Sequence, residues 1–118
     1  QGIQWLIADS AMELYQCKLM VLHAAFKIER GLPFTSEVSM AKHFVANSLW
    51  QIVDRAIQIH GALGYSNDTP LAHMLQQARW SRFADGADEI HRMRIAQRTI
   101  AAFKDHGSTK SATGDLPL

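Results

Sequence analysis

Apolar residues recur at intervals of three and four through Ile3, Ile7, Ala11, Leu14, Cys17, Val21, Ala25 and Ile28. A stripe sustained that long describes one long amphipathic helix and excludes the two-residue alternation of a half-buried strand. It stops at "ERGLPFTS", where Gly31 is free to take the left-handed conformation just past a helix end and Pro33 forbids continuation. Thr35 or Ser36 then stands where a cap is needed and Glu37 falls in the next first turn. A second long stripe follows through Val38, Ala41, Val45, Leu49, Ile52, Ala56 and Ile59. At ~1.5 Å rise per residue, each of these helices reaches about 40 Å.

The remaining elements are shorter. "GALGYSNDTP" interrupts the pattern with Gly61, Gly64 and a run of turn formers. Thr69 followed by Pro70 has the form of a cap with Pro at the first helical position, opening a third helix through Leu71, Met74, Leu75 and Ala78. After Asp85 and Gly86, a fourth stripe runs through Ile90, Met93, Ala96, Ile100 and Phe103. No strand alternation and no internal repeat is found. The expected fold is all-α, an up-down four-helix bundle with two long and two shorter helices over residues 1–106. Residues 107–118, "HGSTKSATGDLPL" less its first letter, are polar and small and are expected to form a disordered tail. Two helices longer than the other two can cover would leave apolar surface for other subunits or domains, with Trp5, Trp50 and Trp80 as contributors. The first residues are already helical in pattern, with no cap and no initiator Met, as in a piece of something longer.

Composition excludes several classes of function. With 118 residues, 47% of them hydrophobic and 19% charged, the profile is that of one soluble globular domain. A net charge of +1 gives no basic field for nucleic acid. The lone Cys17 lies on an apolar stripe, which points to packing and suits a reducing compartment. No apolar run approaches the ~18 residues of a membrane span, and no signal peptide opens the chain. An intracellular protein is expected, with bacterial cytoplasm, mitochondrion and peroxisome all open.

A di-metal site in a bundle needs an acid and a His three residues apart on each of two helices. Only Asp88 and His91 offer that spacing, so no metal is expected; His60 and His91 by themselves do not make a zinc site. "GALGY" follows a helix and is therefore no dinucleotide-binding turn. On residue physics alone, Asp85 reads as the cap of the fourth helix. Asp88 and Glu89 read as acids favoured by the dipole at its start.

Residues 58–96, "QIHGALGYSNDTPLAHMLQQARWSRFADGADEIHRMRIA", resemble the C-terminal helical domain of the acyl-CoA dehydrogenases, flavoproteins that desaturate acyl-CoA thioesters. Their Gln-x-x-Gly-Gly-x-Gly-aromatic motif falls on Gln58, Ile59, His60, Gly61, Ala62, Leu63, Gly64 and Tyr65, and the Pro opening their next helix is Pro70. Their aromatic-Glu-Gly-Thr-x-Gln-Ile-Gln-Arg motif falls on Ala84, Asp85, Gly86, Ala87, Asp88, Glu89, Ile90, His91 and Arg92, with no gap between the two blocks. "QGIQWLIADSAMEL" and "SMAKHFVANSLWQIVDRAIQIHG" match the domain's first two helices, so the resemblance extends over about residues 1–104.

The resemblance implies a chain that forms the last third of a three-domain enzyme, with FAD as cofactor and an acyl-CoA thioester as substrate. It further implies electron-transfer flavoprotein as electron acceptor, and a dimer or tetramer assembled through the bundles. Gln1, Gln58, Ile59, His60, Gly61 and Ala62 would contact the FAD of a neighbouring subunit, small residues letting backbone amides approach it closely. Ala87, Asp88 and Glu89 would lie near the adenosine side of the flavin. Asp85 would be the catalytic base that removes the α-proton, and Gly86 would leave the backbone open to substrate. Four of these site positions depart from the family pattern: Ala62 for Gly, Ala87 for Thr, Glu89 for Gln, and Asp85 for Glu, one methylene or about 1.5 Å shorter. Two other readings stand beside this one. One is a non-catalytic helical module that only oligomerises; the other is an acyl-CoA or nitroalkane oxidase of the same fold. The fragment alone is expected to be inactive.

Overall fold

The computed structural model describes residues 1–113. It is all-helical among these residues: α1 (Gly2–Glu29), α2 (Thr35–His60), α3 (Ala62–Tyr65), α4 (Leu71–Trp80), α5 (Asp88–His106) and α6 (Lys110–Thr113). α1, α2, α4 and α5 are the two long and two shorter helices that the periodicity predicts; α3 and α6 are single turns added to them.

α1 ends where Gly31 takes φ 64°. The Leu32 amide donates to the Lys27 carbonyl and the Gly31 amide to that of Ile28, the paired bonds of a Schellman motif. Helices α2, α4 and α5 begin differently from expectation. α2 starts at Thr35 with Phe34 in the cap position, and neither Thr35 nor Ser36 supplies a side-chain cap. Pro70 sits in the cap position of α4 rather than one residue inside it, and Thr69 instead approaches the Leu63 carbonyl. The cap of α5 is Ala87, two residues beyond Asp85, so Asp85 is not the cap that residue physics alone assigns it to be. Its φ of 53° is the reason: an N-cap residue needs extended backbone, and Asp85 is left-handed.

α2 is the spine. α1 lies antiparallel along it, tied near one end by Lys27 to Glu37 at 2.6 Å and toward the other by the two-pronged pair of Arg55 with Glu13 at 2.7 and 2.8 Å. α4 and α5 pack on α2 as well, while among the described helices α1 makes close backbone approaches to α2 alone. α3 folds back on the last turn of α2. A Cβ on Gly64 would stand 2.9 Å from the Ile57 carbonyl, so the last glycine of "GALGY" is fixed by that close approach.

The surfaces that meet inside are small or polar. The buried residues of α1 are Cys17 and Ala24, those of α2 are Ser36, Glu37, Ser39, Ala41, Ala46, Ser48 and Val53, and those of α5 are Asp88, His91 and Ala102. The apolar stripes read from the sequence point outward on α1 and α5: Ile3, Ile7, Leu14, Val21 and Ile28, and Ile90, Met93, Ile100 and Phe103, are all exposed. Trp5 and Trp80 are 67% and 54% exposed. Beyond α5, the stretch expected as a tail turns at Gly107 and forms α6, with Ala112 buried; residues 114–118 of that expectation lie outside the described residues.

Candidate functional site

Residues 81–87 join α4 to α5, and their backbone is set from both sides. α4 runs on as loose turns, the Ser81, Arg82, Phe83 and Ala84 amides donating back to Gln77, Arg79 and Trp80. The chain then reverses through Asp85 at φ 53° and Gly86 at φ 103°. Only glycine fits the second position, since a Cβ there would stand 2.7 Å from Nε2 of the buried His91. The Asp88 amide closes the loop on the Arg82 carbonyl at 3.0 Å. From α2, the Lys42 ammonium donates to the carbonyls of Ser81 and, at 3.3 Å, Gly86.

Two carboxylates three residues apart have opposite surroundings in this loop. Asp88 is 5% exposed and turned inward. Arg82 Nε donates to its Oδ2 at 2.8 Å and Asn47 Nδ2 at 3.1 Å, while His43 Nδ1 lies 3.2 Å from Oδ1, at ion-pair distance but off the hydrogen-bond axis. Burial pushes the Asp88 carboxyl upward. The hydrogen bonds from Arg82 and Asn47, with His43 at ion-pair distance, outweigh it and hold the group below its ordinary value. Asp85 is exposed, and among the described residues neither its carboxylate nor its backbone N–H has a hydrogen-bond or ion-pair partner. A carboxylate and an amide thus stand unspent on one left-handed residue.

Gln1 caps α1 through its carbonyl and is exposed. The antiparallel register of α1 on α2 brings it to the end of the molecule that carries Gln58, Ile59, His60, Gly61 and Ala62. Gln58, His60, Gly61 and Ala62 are exposed and Ile59 half-buried. The His60 ring is tied to the Ala56 carbonyl at 2.8 Å. At Gly61, φ 59°, an added Cβ would meet nothing within 4 Å, so the backbone there is open.

This group and the Asp85 loop are not brought together. Asn47, which meets Asp88, stands eleven residues before Gln58, which puts about 16 Å of helix between them. At the start of α5, Ala87 is half-buried and Glu89 exposed. Asp88, expected beside a cofactor, has its carboxylate consumed inside the domain. Lys42, His43, Asn47 and Arg82 were not legible as site residues; the one signal was that three of them interrupt the apolar pattern of α2 within six positions. No group of three His, Cys, Asp or Glu side chains converges among the described residues, and no helix there is long and apolar enough to cross a membrane.

Residues 1–100 match the family model for the acyl-CoA dehydrogenase C-terminal domain. An acryloyl-CoA reductase (NADH) of Anaerotignum propionicum is 37% identical over 100 residues, covering 85% of this chain and 25% of that protein. Acyl-CoA dehydrogenase family member 10 of Mus musculus is 41% identical over 96 residues, covering 80% of this chain and 9% of its own. A solved structure from Mycobacterium abscessus, assigned as an acyl-CoA dehydrogenase, superposes with a TM-score of 0.84 at 41% identity, over 87% of this chain and 26% of that one. The chain therefore spans about a quarter or less of the relatives it matches.

Proposed function

The chain belongs to the acyl-CoA dehydrogenase family as its C-terminal helical domain, and from that premise we propose that it serves a flavoprotein that desaturates acyl-CoA thioesters between Cα and Cβ. Asp85 is the base that removes the α-proton. The observation that carries this reading is the contrast within one loop: an acid with a structural task is bonded, as Asp88 is, and Asp85 is exposed and unbonded. In this reading its unspent N–H donates to the thioester carbonyl, where charge develops as the proton leaves. Gly86 keeps the backbone beside it clear of side chain. One relative is named for reducing acryloyl-CoA; run in that direction, the same carboxyl returns the proton.

FAD supplies the chemistry of hydride acceptance from Cβ when bound. The open backbone at Gly61, with Gln58, Ile59, His60, Ala62 and Gln1 at the same end, fits a cofactor held by a neighbouring subunit, and it lies too far from Asp85 to serve the same active centre. In this reading Ala87 and Glu89, at the start of α5, contact the cofactor, whereas Asp88 braces the loop. The outward apolar stripes of α1 and α5 take the remaining domains and other copies of the chain, and electron-transfer flavoprotein receives the electrons.

In the full-length enzyme, Asp85→Asn is expected to retain FAD and to lose flavin bleaching by an acyl-CoA. Normal bleaching by that variant would refute the assignment. Reoxidation by electron-transfer flavoprotein in preference to dioxygen separates a dehydrogenase from an oxidase of the same fold.

A further inference from the structure

The Asp85 loop hangs on Lys42. Its ammonium is part-buried on α2 and donates to the carbonyls of Ser81 and Gly86, far along the chain. Among the described residues it has no carboxylate partner. A partly buried cation is ordinarily paired with an acid, because neutral acceptors repay less of its lost hydration. Here the charge is used on two carbonyls instead. Those carbonyls stand on either side of Asp85, one where α4 gives out and the other on the residue that follows it.

A left-handed non-glycine residue persists only where its surroundings enforce it. The Arg82 and Asp88 pair clamps the same loop at a second place, 2.8 Å between Nε and Oδ2. That clamp joins two residues of the loop to each other and, through Asn47, to α2. Among the described residues, Lys42 alone reaches the carbonyl adjoining Asp85. We propose that Lys42 is a positioning residue for the Asp85 carboxylate, fixing its aim by tying both ends of its loop to α2. The inference rests on Asp85 being the base; Lys42 itself touches no reacting atom.

In the full-length holoenzyme, Lys42→Met is expected to slow flavin reduction at saturating acyl-CoA about 10–100-fold, the loss that follows when a reacting group is misplaced by about 1 Å. FAD content and the acyl-CoA concentration for half-saturation are expected to hold, and Lys42→Arg, which keeps a cationic donor, to recover most of the rate. A parental rate in Lys42→Met beside a dead Asp85→Asn enzyme overturns the positioning role and leaves the base standing. An active Asp85→Asn enzyme overturns the base, and this inference with it. Loss of rate, FAD and half-saturation together, unrelieved by Arg, also overturns it, since that is the pattern of a general structural role. Should Lys42→Met not fold, Lys42→Gln carries the same test: a rate loss with half-saturation kept supports the role, and a parental rate overturns it.

Discussion

Asp85 and Asp88 carry the same side chain three residues apart and do opposite things. Asp88 is buried among Arg82, Asn47 and His43, and its carboxyl is held below the ordinary 3.8. A carboxyl whose folded value is depressed contributes stability that is fully present above its unfolded value and disappears as pH falls through the folded one. The domain is therefore expected to lose melting temperature on acidification below about pH 4. Asp88→Asn is expected to cost about 2–3 kcal/mol at neutral pH and to flatten that acid dependence, as read by thermal unfolding at a series of pH values. An unchanged acid limb in the variant would remove Asp88 as its source. Nothing local distinguishes the two acids: both precede or open a helix, and which one is buried depends on residues some forty positions upstream in α2.

Helices α1 and α5 were legible as elements and misleading as faces. Their apolar stripes have the right period, but apart from Cys17 they do not face α2; the side turned to it carries Ser10, Glu13 and Ala24 on α1 and Asp88, His91 and Ala102 on α5. Small residues let helices approach closely, and the charged ones are matched in pairs. The Glu13 carboxyl is lowered by its hydrogen bonds from Arg55 against an opposing push from burial. A double-mutant cycle on Glu13 and Arg55 is expected to give a coupling of about 1 kcal/mol that shrinks as salt is raised, because both ends are partly solvated. A coupling near zero in denaturant titrations would show that small-residue packing alone holds α1 on α2. At α2, α4 and α5 a residue of capping type stands close by, but Phe34, Pro70 and Ala87 occupy the cap positions.

Taken whole, the domain is extended and thinly cored. Its radius of gyration is 17.0 Å, against about 13.5 Å for a compact chain of this length, and it exposes 8301 Å² where about 6,400 Å² is usual for its mass. No large side chain is fully buried among the described residues. Area of this kind, apolar and running along α1 and α5, is covered in a stable assembly. The isolated domain is thus expected to bind a hydrophobic dye and to sediment above its monomer mass of 13.2 kDa. A dye-silent monomer would contradict that expectation.

Sequence by itself determined the four main helices, the stop at Gly31, and the placing of Asp85 and Gly86 between two of them. All of these follow from periodicity and from the conformational range of single residues, which act over a few positions. Tertiary structure decided which stripe faces inward, that Asp88 is buried while Asp85 is free, and that Lys42 holds the loop. Those depend on how α2 lies against a segment about forty residues further along the chain, and no local property of either segment specifies that register.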